Sequence, residues 1–392
     1  MQVDRYEGGT QCLAIHNQID GGCVMKILLM GEYSNVHWTL AEGLRTLGHD
    51  VTVLSNGDFF KNYPRDIDLV RKPGKLGGIE YLAKLQFIKP ILKGYDVVQV
   101  INPMFLELKA ERILPVYRYL RRHNRSMYLG AFGMDYYWVH ENDVRKPLRY
   151  SDFNIGHALR HHEDAERERH DWVGTAKEHL NKVIAQDCDG IIAGLYEYMV
   201  CYAPIFPDKT CFIPFPIKPK DNVEIRDKRP GEKVVLFIGV NRERSVYKGT
   251  DIMLRAARRL ESDYPDKVEL RVAENLPFNQ YVEMMNGSDA ILDQLYSYTP
   301  SMNPLEAMSR GIICVGGGEP ENYQILGESE LRPIINVEPN EKSVYCQLQQ
   351  LVLHPEKIGE LKRQSVEYIR RHHDYRMVAR KYEDFYVAKG NL

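Results

Sequence analysis

From Met25 onward, short apolar runs alternate with amphipathic stretches, and this alternation constrains the fold more than any other feature of the sequence. Apolar runs of strand length suit strands covered on both faces, and the amphipathic stretches between them suit the covering helices. Together they predict βα units around parallel sheets. Strands are expected at 26–31, 50–55, 96–101, 126–132, 189–195 and 210–215, then at 234–239, 268–273, 290–294, 312–317 and 333–337. Between the first two, Leu40, Leu44 and Leu47 recur at helical spacing and Gly48 supplies a stop. Segment 156–186 carries many charges and histidines without a proline, which predicts a long solvated helix or a helical pair. Helices of the second half are expected to begin near Gly249, Phe278, Met302 and Glu321, and the last stretch, roughly 50 residues, reads as helical throughout.

A proline-rich, charged stretch divides this pattern, so the expected organisation is a domain over 25–216, a linker over 217–232, a second domain over 233–372 and a final helix over 373–392. Residues 1–24 lack both a basic start and a long apolar run, and are read as a disordered or misassigned leader. A chain of 392 residues with 44% hydrophobic and 27% charged residues leaves room for two or three globular domains and excludes a disordered chain or a coiled coil. Its net charge of -2 argues against a protein that coats nucleic acid. Seven cysteines without a C-x-x-C pair read as reduced thiols, and no apolar run approaches the ~20 residues that cross a bilayer. The cytoplasm is the expected location. Residues 61–125 nevertheless hold 14 Lys and Arg against 6 Asp and Glu, which points to a peripheral contact with the inner face of a membrane, or else to an evenly solvated basic surface.

Two open α/β sheets place ligands beyond the carboxyl ends of their strands, so chemistry is sought in those loops. The loop from Gly31 to Asn35 has no G-x-G-x-x-G and the chain has no G-x-x-x-x-G-K-[ST], which removes the dinucleotide fingerprint and the P-loop. Gly31 can still let a substrate approach the backbone. After the strand at 234–239, Arg242, Lys248 and a helix start at Gly249 form either an anion site suited to a diphosphate or a solvated basic turn. Further on, Pro300 interrupts the chain, the amides of Ser301, Met302 and Asn303 open a helix, and Glu306 lies about one turn in, followed by Gly316, Gly317 and Gly318. Gly133 and Asp135 lie just past a strand end; Asp135 orients an acceptor hydroxyl or caps a helix. His157, His161, His162 and His170 are read as a solvated face, and no metal site is expected.

In their order and spacing these pieces resemble the retaining GT-B glycosyltransferases of family 4. The basic R-x5-K-G loop matches Arg242 through Lys248 and Gly249, and the L-E-A-M-A-x-G motif matches Leu305 through Gly311 with Ser309 as its one change. The resemblance runs over nearly the whole chain from Met25, including the IPFP stretch at 213–216. It implies two Rossmann-like domains facing a cleft, with a final helix that crosses back to the first. It also implies that Glu306 binds the ribose of a nucleotide, that Arg242 and Lys248 hold its phosphates, and that Asp135 serves at the acceptor side. The Glu-x7-Glu motif departs from the family at its first member, where Tyr298 stands. Tyr298, with Asp293 and Gln294 as helpers, is then expected at the donor sugar, and Asn275 near the base.

The activity implied is transfer of a sugar from a nucleotide diphosphate sugar to a glycan or lipid-linked acceptor, with retention, in surface polysaccharide synthesis. The nucleotide sugar would be a substrate, with no cofactor or metal. A non-catalytic module binding a nucleotide sugar or a partner is the alternative that Tyr298 keeps open, and an epimerase on the same plan is disfavoured by the match at Leu305 to Met308.

Overall fold

The computed structural model describes residues 24–274 and 276–390. In the first half the chain forms β1 (Lys26–Met30), β2 (Asp50–Ser55), β3 (Ile67–Asp68), β4 (Val97–Val100), β5 (Ser126–Ala131), β6 (Asn154–Ile155), β7 (Ala158–Leu159), β8 (Gly190–Ala193) and β9 (Thr210–Phe212). All but β6 and β7 join one parallel sheet in the order β3-β2-β1-β4-β5-β8-β9. The second half adds β10 (Val234–Val240), β11 (Val268–Glu274), β12 (Ala290–Leu292) and β13 (Ile313–Val315), parallel in the order β11-β10-β12-β13. Every residue of β4, β5, β8 and β12 is buried, as strands with helices on both faces require.

The alternation thus yields two doubly wound sheets, with three departures. The short β3 was not foreseen. The expected strand at 333–337 is a single bridge between Val315 and Ile335. The solvated segment begins with the β6–β7 hairpin and becomes a helical pair, Glu163–Trp172 and Ala176–Asp187, only afterwards.

The final helix, Tyr375–Gly390, packs on the first helix, Val36–Thr46, and so returns to the first domain. Gly43 permits this approach, because a Cβ there would lie 2.4 Å from the Tyr375 carbonyl oxygen. Where the linker leaves the first domain, Ile217 donates from its amide to the His373 carbonyl at 2.7 Å and accepts from the Tyr375 amide at 2.9 Å. The outgoing and returning segments therefore run side by side.

The halves also meet through the segment before and within the hairpin. Arg149 pairs with Glu319 and Glu321, and the Tyr150 hydroxyl donates to Glu319. The Tyr247 hydroxyl donates to Asp152 at 2.7 Å, and the Arg160 guanidinium lies 3.5 Å from the Tyr296 ring centroid while donating to the Val246 carbonyl.

Candidate active site

In each sheet the strand order reverses beside its first strand, between β1 and β4 in one and between β10 and β12 in the other. Such reversals open crevices at the carboxyl ends of the strands.

On the first sheet the crevice begins with Gly31, at φ +87°, where a Cβ would meet Ile101 Cγ2 at 2.3 Å. Only glycine fits this turn. Ser34 and Asn35 follow, also with positive φ. The Glu32 carboxylate turns back to accept from the amides of His37 at 3.2 Å and Trp38 at 2.9 Å, so the chain fills its own first helix start with a carboxylate. Burial pushes the Glu32 carboxyl up to about 8 against the pull of those amides. His37 donates from Nδ1 to the Gly31 carbonyl at 2.9 Å, which leaves Nε2 to accept from Gln99 at 3.0 Å. The Gln99 oxygen accepts from the Tyr386 hydroxyl at 2.7 Å, so the final helix braces the Gly31 loop through two buried side chains. Burial pulls the His37 pKa down to about 3 and keeps this relay neutral.

On the second sheet, Lys248 ends the turn after β10 and Asp293 follows β12. Asp293 accepts from Asn303 at 3.2 Å, from Gln294 at 3.3 Å and from Ser301 at 3.4 Å, so four of the expected residues form one polar cluster. Burial pulls the Lys248 pKa down and Asp293 pushes it back up. No hydrogen bond or ion pair holds its ammonium among the described residues. Across the crevice lies a loop with no sequence signal of its own: Asp58 accepts from Lys61 at 2.6 Å and from the Ser34 amide at 2.9 Å. Lys61 is close enough to lower the Lys248 pKa further. The Tyr63 phenol is raised by burial and then by Asp58, Glu32 and Glu306, which puts carboxylates of both domains around one side chain.

Glu306 lies in the helix Met302–Met308, partly exposed, with Arg310 at 2.8 Å and Lys220 of the linker at 2.9 Å. Met302, at the start of the same helix, is buried. Three other expected residues stand elsewhere. Arg242 is exposed and paired with Glu274, so Lys248 is the inward-facing cation of the basic loop. Tyr298 is 1% exposed, flanked by the rings of Tyr150 and Tyr196, and its hydroxyl accepts from the Arg149 amide at 2.7 Å. The amides of Tyr298 and Thr299 donate to the buried Glu197 at 2.7 and 3.1 Å. These bonds tie the two domains together at Tyr298. Asp135 is fully buried: one oxygen caps the helix Tyr136–Val144 through the Trp138 amide, the other accepts from the Tyr202 hydroxyl at 2.7 Å. With both oxygens engaged, the capping reading has the geometric support, and burial raises the carboxyl to about 7. Asn275 lies outside the described residues. Two of the histidines have local partners, His161 with Glu166 at 2.7 Å and His162 as the cap of its helix.

No family profile and no curated protein matches the sequence. The fold is nevertheless shared with solved structures at low identity. Sucrose-phosphate synthase from Thermosynechococcus elongatus is 12% identical with a TM-score of 0.60, over 93% of this chain and 98% of that one. Anabaena HepE in complex with UDP-glucose is 13% identical with a TM-score of 0.54, over 94% of this chain and 100% of that one. A TarM variant from S. aureus, in complex with fondaparinux, alpha-GlcNAc-glycerol and UDP, is 10% identical with a TM-score of 0.51 over 77% of this chain. The chain spans 58% of the length of that TarM. The architecture of two facing doubly wound sheets with a returning helix is the GT-B fold of these proteins.

Proposed function

We propose that the protein is a glycosyltransferase that takes a sugar from a nucleotide diphosphate sugar. The observation that carries this reading is the half-buried Lys248 ammonium, without a hydrogen bond or ion pair among the described residues, beside the Asp293, Gln294, Ser301 and Asn303 cluster at the reversal of the second sheet. A diphosphate would supply the missing negative charge. The fold supports it, since HepE holds UDP-glucose and TarM holds UDP.

In this reading Glu306 accepts hydrogen bonds from the ribose diol, and Lys248, helped by Lys61, stabilises the leaving diphosphate in place of a metal ion. Retention follows from the resemblance to family 4: the acceptor oxygen bonds to the anomeric carbon on the face from which the phosphate oxygen departs, and that oxygen takes the acceptor proton. A glycan or lipid-linked acceptor, and a role in surface polysaccharide synthesis, belong to the same proposal. Charge-assisted bonds to a ribose contribute ~1.5 to 3 kcal/mol, so Glu306→Gln is expected to weaken donor binding roughly tenfold or more. Calorimetry across a panel of nucleotide sugars measures this, and unchanged affinity for the best ligand removes Glu306 from the site.

Three observations favour a second reading, a module that binds a nucleotide sugar without turning it over. Asp135 is occupied as a cap, Tyr298 is locked between domains, and Glu306 already carries two cations. Donor binding with neither transfer to a range of acceptors nor slow donor hydrolysis would establish that reading instead.

A further inference from the structure

We propose that the helix Gly74–Ile88 and the turn after it form a docking face for the surface of an anionic lipid bilayer. The helix is largely apolar, with Lys75, Glu80 and Lys84 as its charged residues, of which Glu80 pairs with Lys72 at 2.8 Å and Lys84 with Asp68 at 3.5 Å. One side, carrying Tyr81, Leu85 and Ile88, packs on the first domain. The opposite side presents Leu76 at 82% exposure, Ile79 at 64% and Phe87 at 85%, and the turn continues it with Ile91 at 50%. At 100° per residue, Leu76, Ile79 and Phe87 fall within about 80° of one another, so they form one stripe. An apolar stripe of this size on a surface helix marks a contact with another phase or molecule.

Charge decides which. Directly beside Phe87 and Ile91, the turn Lys89–Ile91 and the helix Ala110–His123 enclose a shallow hollow of about 340 Å³ lined by Lys89, Pro115, Arg118, Tyr119, Arg122 and His123. Among the described residues, Lys89, Arg118 and Arg122 have no carboxylate partner, whereas neighbouring Arg121 pairs with Asp189 at 2.7 Å. The Lys89 ammonium instead sits over an aromatic ring on the wall of the hollow, 4.6 Å from the Tyr119 centroid. Uncompensated cations around projecting apolar side chains match a leaflet of anionic headgroups over acyl chains, with the cations at headgroup depth and the stripe beneath them. A protein partner would require an acidic and apolar surface, and a second copy of this chain would set the same cations against each other. No helix among the described residues is long and apolar enough to cross a membrane, so the contact is peripheral.

Flotation with phosphatidylcholine vesicles and with vesicles containing phosphatidylglycerol tests the proposal on the full chain, independently of donor binding. Binding at least tenfold stronger to the anionic vesicles is expected. It should fall at least tenfold in L76S/F87S and in R118E/R122E, with thermal midpoints unchanged because these side chains are exposed. Equal binding to both vesicles, or retention of binding in both variants, overturns it. So does a dimer in sedimentation velocity that L76S/F87S dissolves, since the stripe would then be covered by a second copy.

Discussion

Lys248 and Arg242 show how position converts the same charge into different chemistry. Both belong to the turn after β10, but Arg242 lies in solvent against Glu274 while Lys248 is drawn inward beside Asp293. An exposed pair of that kind contributes ~0 to 1 kcal/mol and is screened by salt. A half-buried ammonium with no hydrogen bond or ion pair among the described residues is poised to gain from an incoming anion. Lys248→Ala is therefore expected to weaken donor binding roughly tenfold or more and to leave thermal stability in the absence of donor unchanged or slightly raised, whereas Arg242→Ala changes affinity less than threefold. Titration of both variants with the same nucleotide sugar checks the contrast. Equal losses would return Arg242 to the phosphates.

The element after β1 couples a turn, a helix start and a carboxylate. Glu32 holds its proton more tightly in the folded chain, at about 8, than at its ordinary value of 4.5. The stability tied to that proton is present below about 4.5 and is lost as pH rises towards about 8. Glu32→Gln keeps an acceptor for the helix amides without the charge, so its unfolding free energy should fall less than that of the parent between pH 5 and 8, with a difference in slope of up to ~1.4 kcal/mol per pH unit. Urea melts at several pH values measure it; parallel pH profiles would mean that Glu32 is ionised throughout. This device could not be read from the sequence, because the cap comes from before the helix and its proton affinity depends on burial by the whole domain. The strands were legible, since a strand covered on both faces is largely apolar, as β8 and β12 are throughout. The hairpin was not: β6 and β7 are two residues each, too short for an alternation, and the turn rests on Gly156 at φ +58°. At the candidate site, the proximity of Asp293, Gln294, Ser301 and Asn303 was foreshadowed by their shared place after a strand, and the structure joins them in one hydrogen-bonded cluster. The contacts of Tyr298 could not be read from the sequence, because its partners, Arg149 and Glu197, lie 149 and 101 residues away.

At the scale of the molecule, one side of the cleft is fastened by Arg149, which reaches Glu319 and Glu321 from the other domain. Glu319 is 6% exposed, so removing its cation leaves a buried carboxylate with, among the described residues, only the Tyr150 hydroxyl and the Asn336 amide. Because the arginine itself is half exposed, Arg149→Ala is expected to cost ~1 to 2 kcal/mol rather than the full penalty of a broken buried pair. It should also widen the range of domain separations seen by small-angle scattering. An unchanged urea midpoint together with unchanged scattering would show that the fastening is elsewhere.

The return of the final helix to the first domain sets an order of events during synthesis. The helix Val36–Thr46 leaves the ribosome early, yet the surface that covers Gly43 and braces Gln99 is made last. At ~5 to 20 residues per second, the stretch from β9 to the final helix takes roughly 8 to 35 s to emerge. The second sheet, whose strands all lie within that stretch, can close in the meantime. The first part of the chain to be born should thus be the last to mature, waiting half-built with its apolar flank uncovered. Nascent chains arrested before residue 375 should be cut by protease in the first domain while the second resists; equal resistance in both would mean that the returning helix is an addition to a finished domain.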